Sequence, residues 1–365
     1  SQMAYNRKQR LNDNIKAIET AFILDREQRT PTARERLLLE RYCGFGGLKC
    51  ILNPARELAD AVHWAKSDLE LFAPTVELHR LIRENSKNES EYKQLMDSLK
   101  QSVLTAFYTP SAVTEALTDV LKEHQIIPEK VLEPSAGIGA FVDSVLDNNP
   151  KADIMAFEKD LLTGKILRHL HPEQKVRIEG FEKIEKPFND YFDLAISNIP
   201  FGDVAVFDPS YTAMKGMRAL VTRRIHNYFF VKALDTVRDG GLVAFITSQG
   251  VLNAKNNSAA RFMMLYHADL VSAIRLPNNL FTENANTEVG SDLIILQKNS
   301  QKESLRGDDN LLDTVYNDEN RIPTNNYFLE HPERIIHTTA KLDTDPFGKP
   351  AMIYTHEDGV EGIAE

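Results

Sequence analysis

"KVLEPSAGIGAFV", Lys130 to Val142, decides how this chain is read. A short apolar run stops on Glu133 and Pro134, turns through Gly137 and Gly139, and re-emerges as a helical pattern. Small residues at such a turn let a ligand approach the backbone, and the helix start that follows offers free N–H groups. The dinucleotide-binding pattern G-x-G-x-x-G is not met, because Val142 occupies the third glycine position. Glu133 ahead of the turn points instead to a ligand with a cationic amino-acid end.

Working outward, the same rhythm repeats. "ADIMAFEKD", "FDLAISN", "GGLVAFITS", "LVSAIRLP" and "SDLIILQK" are short, continuous apolar runs separated by helical patterns. Continuous runs suit a sheet covered on both faces, and alternation with helices predicts a doubly wound α/β domain. Upstream, residues 6 to about 101 read as helical and charged. Leu11, Ile15, Ile18 and Phe22 share one helical face, and "ARERLLLERY" follows a "TPT" start signal. The loop "YCGFGGLKCILNP", Tyr42 to Pro54, interrupts this region as a tight turn or as a functional element. Three segments are expected: a helical region 1–101, a catalytic α/β domain 102–300, and a polar extension 301–365 truncated from a longer chain.

Composition narrows the function classes. With 365 residues, 42% hydrophobic and 26% charged, the chain has material for a sizeable core. No stretch has the roughly twenty apolar residues that span a bilayer, and no secretory pattern opens the chain, so an intracellular, cytoplasmic setting without membrane contact is expected. Cys43 and Cys50 are the two cysteines, and neither has metal-ligand spacing, so no metal is expected. A formal charge of −10 argues against a chain that coats nucleic acid over its whole surface, and leaves room for a local basic groove.

Two strand ends carry the chemistry. Glu158, followed by Lys159, closes the second strand 25 residues after Glu133, where an acid can accept both hydroxyls of a ribose. Together with the turn, it suggests an adenosine bearing an amino-acid tail: S-adenosylmethionine. "SNIPFG", Ser197 to Gly202, closes the next strand in the crevice where open α/β sheets bind ligands. The Asn198 amide oxygen and a backbone carbonyl beside proline can accept hydrogen bonds from an amino group, favouring the tetrahedral nitrogen that attacks a methyl sulfonium. Phe201 can stack on the base that carries this nitrogen.

These motifs resemble the N6-adenine DNA methyltransferases with gamma-type motif order, and more narrowly the methylase segments of large methylase-helicase polypeptides of phages and conjugative elements. The resemblance spans about residues 102 to 298, with "GFGGL" and "DPFGKP" as further points of likeness. It implies a mostly parallel, seven-stranded Rossmann-like sheet and assigns Asn198, Ile199, Pro200 and Phe201 to catalysis. Tyr108, Thr109 and Pro110 in "AFYTP" would close over the methionine end of the cofactor. Glu133, Pro134, Ser135, Ala136, Gly137, Gly139 and Phe141 match the glycine-rich motif, and Glu158 with Lys159 the ribose site. Phe181 matches the third motif, although Gly180 stands where that motif has an acid, which leaves Glu179 or Glu182 as its substitute. Ile199 stands where proline is usual.

The resemblance further implies a flipped adenine in double-stranded DNA. Phe281 stands either on the second face of that base or in the core. Lys215, Arg218, Arg223, Arg224 and His226 form either a mobile phosphate-reaching loop or a solvated helix face. A helicase or recognition region on the full-length chain is the expected partner. RNA or a protein amide as acceptor, and a cofactor-binding module without turnover, are the competing readings.

Overall fold

The computed structural model describes residues 2–105, 109–200, 202, 204–278, 290–305, 309–316, 322–337, 339–344 and 350–358. Tyr108, Phe201 and Phe281 therefore lie outside the described residues. The chain forms two compact units: Ser1–Tyr108 with Gly137–Gly139 and Phe157–Glu179, and Thr109–Ala136 with Ala140–Ala156 and Gly180–Glu365.

The first unit is built on helices α1 (Gln2–Glu27), α2 (Ala33–Glu40), α3 (Phe72–Glu84) and α4 (Glu89–Thr105). The "TPT" signal acts as read: Thr32 caps α2, accepting from Glu35 N–H while the Glu35 side chain accepts from Thr32 N–H. Leu11, Ile15, Ile18 and Phe22 are all buried, and Leu162, Ile166 and Leu170 of a later helix complete the same core. Polar ties fix that later helix to the N-terminal ones. Asp25 binds Lys165 at 2.8 Å and His169 at 2.6 Å, and Arg36 donates to the Leu170 carbonyl at 2.8 Å. The Gly44–Leu48 loop is held from inside, by buried Asn14 donating to Gly44 O at 2.6 Å and Ser102 Oγ accepting from Phe45 N–H.

The strands make a seven-stranded sheet ordered β3-β2-β1-β4-β5-β7-β6. They run β1 Lys130–Glu133, β2 Asp153–Phe157, β3 Lys175–Arg177, β4 Phe192–Asn198, β5 Val237–Ser248, β6 Ala268–Leu276 and β7 Ser291–Lys298. β1 pairs in parallel with β2 and β4, and β4 with β5, whereas β7 is antiparallel to both β5 and β6. Since the chain leaves β1 towards β2 and later returns to β4, the strand order reverses at β1. Such a switch point opens a crevice at the carboxyl ends of the strands. Helices α5 (Ser111–Glu123), α6 (Ala140–Asn148), α7 (Leu161–Leu170), α8 (Pro209–Met214), α9 (Gly216–Val221), α10 (Ile225–Thr236), α11 (Gly250–Asn253) and α12 (Ser258–His267) link or flank the strands. β2 and the second half of β5 are buried at consecutive positions, which the unbroken apolar runs require.

The polar segment beyond 300 is anchored to the sheet by side chains no local pattern reveals. Arg275 forks onto Asp292 at 2.9 and 3.0 Å, both buried, and its guanidinium lies 4.2 Å over the Phe328 ring. Asn325, also buried, donates to the carbonyls of Leu252 and Leu311.

Candidate active site

Glu133 ends β1 at 2% exposure, and its Oε1 accepts the Ser135 N–H at 2.8 Å. The bond bends the chain through Pro134, Ser135 and Ala136 into Gly137 at φ +58° and Gly139 at φ +95°. Both glycines sit in the left-handed region that disfavours a side chain. At Gly139 space forbids one as well, since a Cβ would lie 2.9 Å from Leu167 Cδ1 and 3.0 Å from His171 Nε2. Phe141 is buried in the first turn of α6. Thr109 and Pro110 are half-buried ahead of α5, with Pro110 at its cap position.

Past β2, Glu158 accepts the Gly137 N–H on Oε1 at 3.0 Å and the Asp160 N–H on Oε2 at 2.9 Å. Its carboxyl is pushed up to about 7, by burial first and by the neighbouring Asp160 charge second. Asp160 in turn caps α7, accepting from Thr163 N–H and from the hydroxyls of Ser98 and Thr163. Ser98 Oγ also accepts the Leu162 N–H at 3.1 Å. Lys159 points to solvent.

Asn198 is the last residue of β4. Its Oδ1 is buried and has no hydrogen-bond partner among the described residues. A buried amide oxygen is an acceptor that a hydrogen-bond donor would satisfy. Ile199 is 1% exposed, and its N–H donates to Ile246 O at 3.0 Å, carrying the β4–β5 ladder one residue beyond the strand. The hydrogen that proline would lack therefore has a partner and does not twist the turn. Pro200 is half-buried after it.

The third motif is arranged differently from a simple match. The Phe181 ring is fully buried, packed edge-on against Phe229 at 5.3 Å. Glu179 is paired with Arg177 at 2.6 Å. The Glu182 carboxylate folds back over Gly180 and occupies the space a side chain there would need. An acid therefore stands at this point of the fold, delivered from two residues downstream.

Within residues 204–224 lie the helices α8 and α9. Arg218 forks onto Asp235 at 2.6 and 3.0 Å, and His226 is buried in α10. Arg224 is half-buried and donates to Asn256 O at 3.3 Å, which leaves Lys215 and Arg223 exposed.

The model of the N-6 DNA methylase family matches residues 90–353. The chain belongs to that family. Among curated relatives, it is 29% identical over 201 residues to the "Defense against restriction protein B" of Escherichia phage P1, covering 53% of this chain and 8% of that protein. It is 25% identical over 173 residues to the type II methyltransferase M.XamI of Xanthomonas campestris pv. amaranthicola, covering 44% of this chain and 33% of the other. It thus spans well under two thirds of either relative. Among solved structures, the type IIG restriction endonuclease BpuSI aligns over 81% of this chain and 38% of its own, at 14% identity and a TM-score of 0.45.

In this member of the family the ends of β5 and β7 carry further polar atoms that the sequence reading passed over. Thr247 Oγ1, Gln249 Nε2 and Ser291 Oγ are buried and without partners among the described residues. The signal was present in "TSQG", where an apolar strand turns polar at its carboxyl end just as "ISN" does. Among the described residues no group of His, Cys, Asp and Glu could hold a metal, and no helix is long and apolar enough to cross a membrane.

Proposed function

We propose that this methyltransferase uses S-adenosylmethionine to methylate the N6 amino group of an adenine flipped out of duplex DNA. The observation that carries the reading is the buried, unpartnered Oδ1 of Asn198 at the carboxyl end of β4. The residues present fit the cofactor. Glu133 and the N–H groups of the Ser135–Gly139 turn suit its amino-acid end, Glu158 the ribose hydroxyls and Glu182 the adenine amino group. Bound there, S-adenosylmethionine supplies a methyl group on a cationic sulfur.

The chain's own residues do the rest. An adenine amino group is a poor nucleophile because its lone pair is delocalised into the ring. Asn198 Oδ1 accepts one of its hydrogens, and the Ile199 carbonyl a second, which draws the nitrogen towards a tetrahedral form with its lone pair directed at the methyl group. An amide is too weak a base to take the proton, so the role is orientation and charge stabilisation. Ile199 is well held for it, by its ladder bond to Ile246 and by the extended backbone that Pro200 imposes. Phe201 and Phe281 are proposed as the stacking residues. Duplex DNA is the proposed partner, with a helicase or recognition region of the same polypeptide as a second.

Incubating adenine-containing duplex with methyl-labelled cofactor, then analysing nucleosides for N6-methyladenine, tests the reading. Asn198→Ala is expected to lower transfer by roughly 100- to 1000-fold while calorimetric cofactor affinity is unchanged. Label in RNA or protein but not in DNA would overturn the acceptor, and lack of cofactor binding would overturn the whole reading.

A further inference from the structure

We propose that residues 204–224 form a fixed wedge that docks on duplex DNA, with Phe207 entering the base stack and Lys215 and Arg223 resting on phosphates. The proposal takes its partner from the DNA-acceptor reading above and adds the surface that engages it.

Three observations carry it. First, the segment directly follows the Asn198–Phe201 motif and presents large apolar side chains to solvent. Phe207 is 80% exposed and Met214 64%, and Val204, Met217 and Leu220 of the same segment are exposed as well. A large exposed apolar patch on a protein surface marks an interaction site.

Second, the charge left on that surface has one sign. Asp208 is the sole carboxylate between 204 and 224, and it is buried. It accepts from Ser210 N–H at 3.0 Å and Tyr228 Oη at 2.6 Å, and pairs with Lys232 Nζ at 3.4 Å. Arg218 is neutralised by Asp235. Lys215 and Arg223 remain outside, on a chain whose formal charge is −10. Cations flanking an apolar projection suit a polyanion whose interior is a stack of apolar faces.

Third, the projection is braced. Beyond the Asp208 cluster, Val206 N–H donates to Thr222 O at 2.7 Å, closing the segment on itself one residue before Phe207. A side chain held in this way can enter a base step without first paying to be ordered. The space vacated by a flipped adenine is one such opening.

Fluorescence anisotropy with two labelled duplexes, one containing adenine and one made only of G·C pairs, tests the wedge separately from the chemistry. The Lys215→Gln/Arg223→Gln double variant is expected to reduce the slope of log affinity against log salt by about 1.8, for two phosphate contacts. Phe207→Ser is expected to weaken binding about tenfold with the slope unchanged. Both variants should keep wild-type cofactor affinity, which confirms that they fold. Wild-type binding and salt slope in both variants, alongside normal adenine methylation by the parent, would overturn the wedge and leave the proposed function standing. Wedge-dependent binding of both duplexes without methyl transfer would do the reverse. A parent chain that binds neither duplex, or whose self-association is what Phe207→Ser abolishes, also overturns the wedge.

Discussion

The backbone N–H of Gly137 donates to Oε1 of Glu158 at 3.0 Å, so the glycine turn after β1 and the acid after β2 are one hydrogen-bonded structure. The turn and the acid proposed above for the two ends of the cofactor hold each other in place. Asp160 N–H takes the other carboxylate oxygen, and Ser98 of α4 takes Asp160. Helix α4 of the helical N-terminal region thereby reaches Glu158 by way of Asp160.

Glu158 predicts two opposed pH dependences. Its carboxyl is pushed up from 4.5 to about 7. Between those values the folded chain holds a proton that the unfolded chain has released. This group's contribution to stability is therefore full below about 4.5 and lost as pH rises through about 7. Cofactor capture runs the other way, because ribose hydroxyls donate to the ionised form. Calorimetry is expected to show affinity falling about tenfold from pH 8 to pH 6, while melting of the free protein shifts upward. Glu158→Gln should flatten both trends, and affinity that ignores pH in the wild type would remove Glu158 from the ribose site.

Ser98→Ala removes the hydroxyl that serves both Asp160 and the Leu162 N–H. Leaving a buried N–H unpaired costs about 1–3 kcal/mol, readable as a lower urea midpoint. Cofactor affinity should also weaken several-fold, because Asp160 holds Glu158. A destabilised variant with wild-type affinity would confine Ser98 to a packing role.

Gly139→Ala meets two penalties at once, a positive φ and a Cβ within 3.0 Å of Leu167 and His171 side chains. A loss of about 1–3 kcal/mol in chemical unfolding is expected, and an unchanged midpoint would show that the turn can relax.

Ile199→Pro restores the residue usual in the motif and deletes the bond to Ile246 O. Stability is expected to fall by about 1 kcal/mol, with turnover within a few-fold of wild type, since the carbonyl is retained. Turnover that collapses while the melting temperature holds would show that the isoleucine does more than carry a carbonyl.

Much of this protein was legible in the chain. Strand, turn and helix signals are local, so "KVLEPSAGIGAFV" and the later apolar runs announced the parallel part of the sheet, and "TPT" announced a helix. The third motif was half legible. Gly180 looked like a missing acid, and only the fold back of Glu182 over it shows where a carboxylate stands. The packing of the fully buried Phe181 ring against Phe229 was not legible at all, because Phe229 lies far along the chain.

Charge reads poorly in one dimension because a cation's partner can come from any distance along the chain. The run from Lys215 to His226 read as basic throughout, yet Asp235 claims Arg218, which leaves Lys215 and Arg223 as the exposed cations of residues 204–224.

By itself, then, the sequence determined the strands, the glycine turn and the acids and amide that end β1, β2 and β4, because backbone propensity and strand termini are local properties. Only the tertiary structure decided that Asn198 Oδ1 is left without a donor among the described residues, that Ile199 N–H finds Ile246, and that Ser98 reaches Asp160 across 62 positions. Whether a polar atom is paired or kept open depends on which groups meet in space, and burial makes that meeting costly to leave incomplete.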